Sequence, residues 1–119
     1  MTRSALDTGL PVILASASRS RAAVLTNAGV RIEQEPADID EDAVKESMRR
    51  AGHSVADVAH RLAEQKALHI SARHPGRLVI GADQMLQCGG VWFDKPVDRD
   101  QARAHLQALR GRMHELFAA

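Results

Sequence analysis

The sequence predicts an α/β domain in which short apolar strands alternate with capped helices. The apolar runs at residues 12–15 and 78–86 have the length and composition of strands. Residues 55–72 instead carry apolar side chains at helical spacing. With 45% hydrophobic and 26% charged residues, the chain has the composition of a globular domain with one core. We therefore expect a single domain over residues 1–119, with a mixed sheet flanked by helices.

The first elements are a strand, a helix and a second strand. The strand is predicted over residues 12–15, and Ser18 is placed to cap a helix that runs to about Asn27. Gly29 then supplies the left-handed conformation that commonly follows a helix. Residues 31–35 are predicted to form the second strand.

Two helices are predicted in the middle of the chain. An acidic connection over residues 37–42 leads into a short helix that ends near Gly52. Ser54 can cap a longer helix, from Val55 to about Ala72. Its buried stripe is predicted at Val55, Val58, Ala59 and Leu62.

The C-terminal part predicts three strands and one helix. Residues 78–86 read as the central strand of the sheet, apolar on both faces. A glycine turn at residues 89–90 leads to a short strand over residues 91–93. Asp98 caps the last helix, and residues 113–117 begin a further strand. Because a last strand leaves a sheet edge to be paired, we expect a truncated fold.

Composition excludes several classes of function. The net charge is +1 and aromatic residues make up only 3% of the chain, which argues against nucleic-acid binding. The single cysteine, Cys88, excludes an internal disulfide and is typical of a reducing compartment. Residues 1–10 contain no long apolar run, so no signal peptide is expected, and no segment has the length of a membrane span. We expect a cytoplasmic protein without membrane or nucleic-acid partners.

The start of the first helix predicts a phosphate-binding site. Cations are unfavourable at a helix N-terminus, where the macrodipole already contributes partial positive charge. Such a cluster is explained if an anion with several oxygens binds among the side chains and the free amides. The cluster consists of Ser16, Ser18, Arg19, Ser20 and Arg21.

Three further residues lie where their charge needs an explanation. Asp83 falls inside the apolar run, where it is either a strand-end cap or a metal-binding or general-base carboxylate. Lys66 continues the buried stripe of its helix, so its ammonium either extends to solvent or faces a site as a phosphate counter-charge. Lys95 could also supply a phosphate counter-charge, although a surface lysine is the commoner explanation.

The acidic cluster around Glu41 also has two interpretations. It is either a solvated face or part of a Mg²⁺ site.

Taken in order, these positions resemble the Maf family of nucleoside triphosphate pyrophosphatases. Each motif alone is weak, but six motifs in the family's order are specific. The matching segments are residues 14–21 (LASASRSR), 38–41 (DIDE), 64–67 (EQKA), 80–84 (IGADQ), 94–96 (DKP) and 109–115 (LRGRMHE).

The resemblance implies a nucleotide-binding cleft and hydrolysis of a nucleoside triphosphate, including non-standard or modified ones, to the monophosphate and pyrophosphate. It also implies a divalent cation, Mg²⁺ or Mn²⁺, as cofactor. Asp83 would accept a proton, Glu41 would assist with metal or water, and lysines would neutralise phosphate charge. The implied catalytic residues are Asp83, Lys66 and Glu41, the implied substrate contacts are Ser16, Ser18, Ser20, Arg21, Gln84 and Lys95, and the implied metal ligands are Asp83 and Glu41.

Two positions depart from the family pattern and bear on the preferred base. Gln84 stands where Thr often follows the catalytic Asp and resembles the subgroup that acts on 7-methyl-GTP. Ser20, before Arg21, matches neither well-known pattern. Family members also continue further, so we expect this chain to hold the N-terminal and central part of the fold. A homodimer is the family expectation, and a non-catalytic nucleotide-binding or regulatory module linked to septum formation is the alternative function.

Overall fold

The computed structural model describes residues 9–119, and its elements confirm the α/β class. The prediction that the N-terminus lacks a signal peptide falls largely on residues 1–8, outside the described residues. The elements are β1 (Val12–Ala15), α1 (Arg19–Asn27), β2 (Ile32–Gln34), α2 (Glu41–Arg50), α3 (Val55–Ser71), β3 (Val79–Gly81), β4 (Gln84–Cys88), β5 (Val91–Phe93), α4 (Arg99–Leu109) and β6 (Glu115–Ala118).

Strand β1 is the centre of a parallel sheet in the order β2-β1-β3. All four of its residues are buried, as expected for a strand covered on both faces. Ile13 pairs with Glu33 on one side and with Val79 on the other. The carboxyl end of β1 therefore lies beside the carboxyl end of β3, so the chain segments that follow these strands lie close together.

The structure differs from the prediction of one central strand over residues 78–86. That run is divided into β3 and β4 at Ala82 and Asp83, and β4 belongs to a second, antiparallel sheet in the order β5-β4-β6. The backbone N–H and C=O of Asp83 both pair with Ala119, at 2.9 Å each. Asp83 therefore lies at the passage between two sheets and not within one strand. The strands form two three-stranded sheets where the sequence predicted one mixed sheet.

Helix α3 packs against both sheets and supplies much of the core. Its buried side chains include all four that the sequence predicted, and Leu62 and Val58 are fully enclosed. Met85 of β4 completes this cluster. At Gly81, α3 approaches so closely that a Cβ would overlap the carbonyl oxygen of Ala63. The tight contact fixes the position of the C-terminal half of α3 relative to the end of β3.

Side-chain caps mark the beginnings of the helices. Ser18, Ser54 and Asp98 cap α1, α3 and α4 as predicted, each by accepting a hydrogen bond from a backbone N–H three residues on. Asp40 does the same for α2. Since these caps are local, the predicted helix starts agree closely with the observed ones. No helix among residues 9–119 has the length and apolar character needed to span a bilayer.

Candidate active site

One cleft gathers every residue that the sequence singled out as a candidate for chemistry. Its volume is about 1040 Å³, and it lies between the loop after β1, the C-terminal half of α3, the start of α2 and helix α4. The candidates that line it are Ser16, Ser18, Ser20, Arg21, Glu41, Lys66, Asp83, Gln84 and Lys95. Residues separated by up to 79 positions in sequence therefore share one wall or face each other across it.

The serines and Arg21 form a connected group at the start of α1. The guanidinium of Arg21 donates to Oγ of Ser16 at 3.0 Å and to the carbonyl oxygen of Ala82 at 3.3 Å. Oγ of Ser16 also accepts from the N–H of Ser18, at 3.2 Å. Because Oγ of Ser16 accepts two N–H groups, its own O–H is left as a donor. The group thus combines a cation with a hydroxyl donor beside a helix N-terminus.

The backbone of this loop is held from the neighbouring strand. Nε2 of Gln34 in β2 donates to the carbonyl oxygens of Ser16 and Ser18, at 2.9 and 3.1 Å. Both carbonyl oxygens therefore have a donor from β2, which offsets part of their negative charge beside the start of α1.

Lys66 lies between two carboxylates. Its Nζ is 3.1 Å from Oε1 of Glu41 and 3.7 Å from Oδ1 of Asp83. The side chains of Lys66 and Asp83 are only 12% and 13% exposed. Of the two interpretations left open for Lys66, the structure favours the one in which its ammonium faces the site.

The other oxygen of Asp83 has unused bonding capacity. Oδ2 is buried and has no hydrogen-bond partner within the described part of the chain. Buried carboxylate oxygens in native proteins are nearly always paired with a donor, water or a cation. The strand-end cap interpretation of Asp83 is therefore disfavoured, and an incoming ligand at this carboxylate is the better explanation.

The sequence missed an ion pair that also lines the cleft. Nζ of Lys45 lies 3.0 Å from Oδ1 of Asp94. Burial by itself would lower the pKa of Lys45, because it disfavours the charged ammonium. The hydrogen bond and the charge of Asp94 outweigh this effect, together with the more distant charges of Glu41 and Asp83, so the pKa of Lys45 is raised. Lys45 follows Glu41 by four residues, so the two side chains share one face of α2. This spacing is the feature of the sequence that could have identified Lys45 as a cleft residue.

Part of the cleft lining is apolar. Phe93 and His105 both line the cleft and meet edge to face, with ring centroids 5.1 Å apart. The leucines 86, 106, 109 and 116 line it as well. The sequence predicted only the apolar side of α4, and that side does not form core, because Leu106 is 69% exposed. An apolar surface with a few polar groups is typical of a pocket for a planar ring.

A metal held by protein ligands alone does not fit this site. Within residues 9–119 no group of three or more His, Cys, Asp or Glu side chains is arranged to hold an ion. Mg²⁺ in phosphate-processing sites usually takes only one or two carboxylates and completes its shell with phosphates and water. Asp83, with its unpaired oxygen, and Glu41, which is 42% exposed, provide a donor set of that kind.

Comparisons with known proteins agree with the motifs. Residues 11–119 match the family model described as Maf-like protein. A nucleoside triphosphate pyrophosphatase of Paramagnetospirillum magneticum is 55% identical over 90% of this chain and 55% of its own length. A nucleoside triphosphate pyrophosphatase of Granulibacter bethesdensis is 51% identical over 92% of this chain and 56% of its own length.

A third relative carries a more specific name. The 7-methyl-GTP pyrophosphatase of Mesorhizobium japonicum is 50% identical over 91% of this chain and 54% of its own length. The chain thus spans about half the length of the curated relatives it matches. With a family model matched from β1 through β6, and with the motifs of that family meeting at one cleft, the chain belongs to the Maf family.

Proposed function

We propose that the cleft binds a nucleoside triphosphate and hydrolyses it to the nucleoside monophosphate and pyrophosphate. The observation that carries this proposal is the placement of Lys66 between Asp83 and Glu41 in a cleft that the serine and arginine cluster also lines. The names of the relatives, nucleoside triphosphate pyrophosphatase and 7-methyl-GTP pyrophosphatase, support it.

The phosphates would bind at the start of α1. Ser18 and Arg21 would hold phosphate oxygens there, with Ser16 and Ser20 beside them. Arg21 is already held by Ser16 and Ala82, so little conformational freedom is lost when it binds a phosphate. Lys66 and Lys95 would neutralise charge that develops on the phosphates during reaction.

Asp83 would act as the proton acceptor. A water molecule attacks the α-phosphorus and transfers a proton to the Asp83 carboxylate. A bond forms between the water oxygen and the α-phosphorus, and the bond from that phosphorus to the bridging α–β oxygen breaks. The bridging oxygen leaves with pyrophosphate. Nζ of Lys66 lies 3.7 Å from Oδ1 of this carboxylate.

A divalent cation, Mg²⁺ or Mn²⁺, is part of the proposal. Asp83 and Glu41 would hold it together with the substrate phosphates. When bound, it supplies positive charge that polarises the phosphoryl group. The protein side chains bind and orient the phosphates.

The experiment that tests the proposal measures both products and the bond that breaks. The purified chain is incubated with standard, non-standard and 7-methylated triphosphates, with Mg²⁺ or Mn²⁺, in water enriched in ¹⁸O. We expect monophosphate and pyrophosphate in equal amounts, with the label in the monophosphate. Asp83→Asn should lower the rate by about 10²- to 10⁴-fold, the usual contribution of a general base.

Asp100→Asn is the matched control, since Asp100 is an exposed carboxylate on α4 that does not line the cleft. Release of inorganic phosphate alone, or label in pyrophosphate, would contradict the proposal. Binding of a triphosphate without any turnover would instead identify the non-catalytic nucleotide-binding module. The homodimer and the cytoplasmic location stay predictions, and light scattering of the purified protein tests the former.

A further inference from the structure

We propose that Lys45 is an additional substrate-binding cation, held by Asp94 until a substrate phosphate takes the place of that carboxylate. The inference rests on the proposed function and assigns a role to an ion pair that the mechanism above does not use. Lys45 lines the same cleft as Lys66 and Lys95 but comes from a different element, α2.

The two partners of this ion pair differ in exposure. The side chain of Lys45 is 22% exposed, whereas that of Asp94 is 67% exposed. A well-hydrated carboxylate gives up an ion pair at low cost because water replaces the lost contact. The ammonium, which is half-buried and faces the cleft, has fewer alternatives and gains from a second anion. A phosphate that replaces Asp94 therefore gains a strong contact with Lys45, while the released carboxylate loses little free energy because it is hydrated.

Lys45 also has bonding capacity to spare. An ammonium has three donors, and Lys45 uses one of them on Asp94. Lys66, in contrast, lies within 4 Å of two carboxylates, Glu41 and Asp83, which share its charge. Of these two lysines, Lys45 therefore has the partner that a phosphate can replace more easily.

The charge of the cleft supports the same role. Five cationic side chains line it, Arg19, Arg21, Lys45, Lys66 and Lys95, against three carboxylates, Glu41, Asp83 and Asp94. The cations exceed the carboxylates by two with Lys45 and by one without it. A polyphosphate brings several negative charges, so Lys45 supplies half of the excess positive charge that attracts it.

Lys45 and Asp94 also stand at a boundary between two cavities. Both residues line the large cleft and a second cavity of about 620 Å³. Four of the nine residues that line the second cavity are acidic, Asp40, Glu41, Asp42 and Asp94, and two are lysines. This excess of carboxylates disfavours phosphate on that side, so we expect the ligand to reach Lys45 from the large cleft.

The test uses a triphosphate analogue with a methylene group in place of the α–β bridging oxygen, titrated calorimetrically in the presence of Mg²⁺. We expect Lys45→Met to weaken binding by about tenfold or more, as loss of a charge-assisted hydrogen bond to phosphate does. Lys45→Arg should restore part of the affinity. Asp94→Asn should bind at least as tightly as the wild type, and up to about fivefold more tightly, because Lys45 is then released in advance.

Arg50→Met is the matched control. Arg50 is an exposed cation on the same helix that pairs only with Glu46 in the described region and does not line the cleft. Its loss should change affinity by less than about twofold, since a charge that far from the ligand is screened by salt. In turnover assays, Lys45→Met should raise KM much more than it lowers kcat.

If the ion pair only held α2 to the loop at Asp94, both substitutions would weaken binding. Weaker binding by Lys45→Met without weaker binding by Asp94→Asn excludes that purely structural role. If Lys45→Met and Asp94→Asn weaken binding equally, or if Lys45→Met binds like the wild type, the inference is overturned while the proposed function stands. If the wild type neither binds nor hydrolyses any triphosphate, both fail. Should Lys45→Met not fold, Lys45→Gln and Asp94→Asn decide by the same criterion.

Discussion

Gly81 of β3 and Ala63 of α3 are in direct backbone contact, with no room for a side chain between them. A Cβ on Gly81 would overlap the Ala63 carbonyl oxygen and lie 2.8 Å from Cβ and N of Ala67. Lys66 lies on this same segment of α3, and Asp83 follows Gly81 by two residues. The close approach of helix and strand is therefore what brings the ammonium and the carboxylate within 3.7 Å.

Gly81→Ala should loosen the site as well as the fold. Because the helix must move to admit the methyl group, we expect a loss of about 1–3 kcal/mol in the free energy of unfolding, the range for overpacking. Activity should fall more than stability alone explains, since Lys66 moves away from Asp83. Denaturant unfolding and kcat/KM are measured together.

Gly76→Ala separates these two effects. Gly76 has a φ of +79° with open space around its Cα, so alanine there is strained but displaces nothing. It should lower stability while kcat/KM of the folded protein stays unchanged. Equal losses of kcat/KM in both variants would show that the contact at Gly81 does not position Lys66.

Removal of the divalent cation should abolish turnover, and Glu41 should set how much cation is needed. Glu41 lies 3.1 Å from Lys66 in the cleft, and its carboxylate is half-exposed. Glu41→Gln removes one proposed ligand, so we expect the Mg²⁺ concentration for half-maximal rate to rise by about tenfold. Rates are measured after chelation and during Mg²⁺ titration.

Glu46→Gln is the matched control, because Glu46 lies on the same helix and pairs with Arg50 at the surface. An unchanged Mg²⁺ requirement in Glu41→Gln would exclude this carboxylate as a ligand. Full activity after chelation would exclude the cation altogether.

The start of α3 makes stability depend on pH in acid. Ser54 and Asp57 form a reciprocal capping box, and hydrogen bonds from the Ser54 side chain and backbone, with a smaller effect of His53, lower the pKa of Asp57 below its ordinary value of 3.8. A carboxyl with a lowered pKa in the folded state stabilises that state above pH 3.8 and loses this contribution as the pH falls through the folded value.

Asp57→Asn should therefore weaken the decline of the melting temperature below about pH 4, where the wild type loses the ionised cap. Ser54→Ala should cost about 1 kcal/mol at neutral pH, because the N–H of Asp57 loses its acceptor. Thermal unfolding between pH 2 and 7 measures both. Parallel pH profiles of Asp57→Asn and the wild type would contradict the assignment.

Local signals in the sequence were sufficient for the helices and for most of the site. Ser18, Ser54 and Asp98 determine helix starts through hydrogen bonds that span three residues, so the sequence carries all the information needed. The arginines at the start of α1 and the buried Lys66 were recognisable because their charge is unfavourable there without a partner.

Non-local contacts explain what the sequence did not predict. The apolar run through residues 78–86 gives no local sign of a break, and the break depends on pairing of Asp83 with Ala119. Lys45 and Asp94 are 49 positions apart, and on an amphipathic helix a lysine of this kind looks like any solvated cation. Only the packing of α2 against α3 and against Trp92 of β5 brings that pair to the cleft.

Gln84 should influence which base the cleft accepts. It is exposed, follows Asp83 directly and lines the cleft, and its side-chain amide offers both donors and an acceptor to a base edge. We therefore propose the ratio of kcat/KM for 7-methyl-GTP to kcat/KM for GTP as the measure of this contact. Gln84→Thr shortens the side chain and removes the amide, which should reduce that ratio by about tenfold.

Gln87→Thr is the matched control, since Gln87 lies on the same strand but bonds to Glu115 outside the cleft. Because both substrates carry the same triphosphate, the ratio cancels effects on phosphate binding and on folding. An unchanged ratio in Gln84→Thr would place base recognition elsewhere, with Ser20 the next residue to substitute.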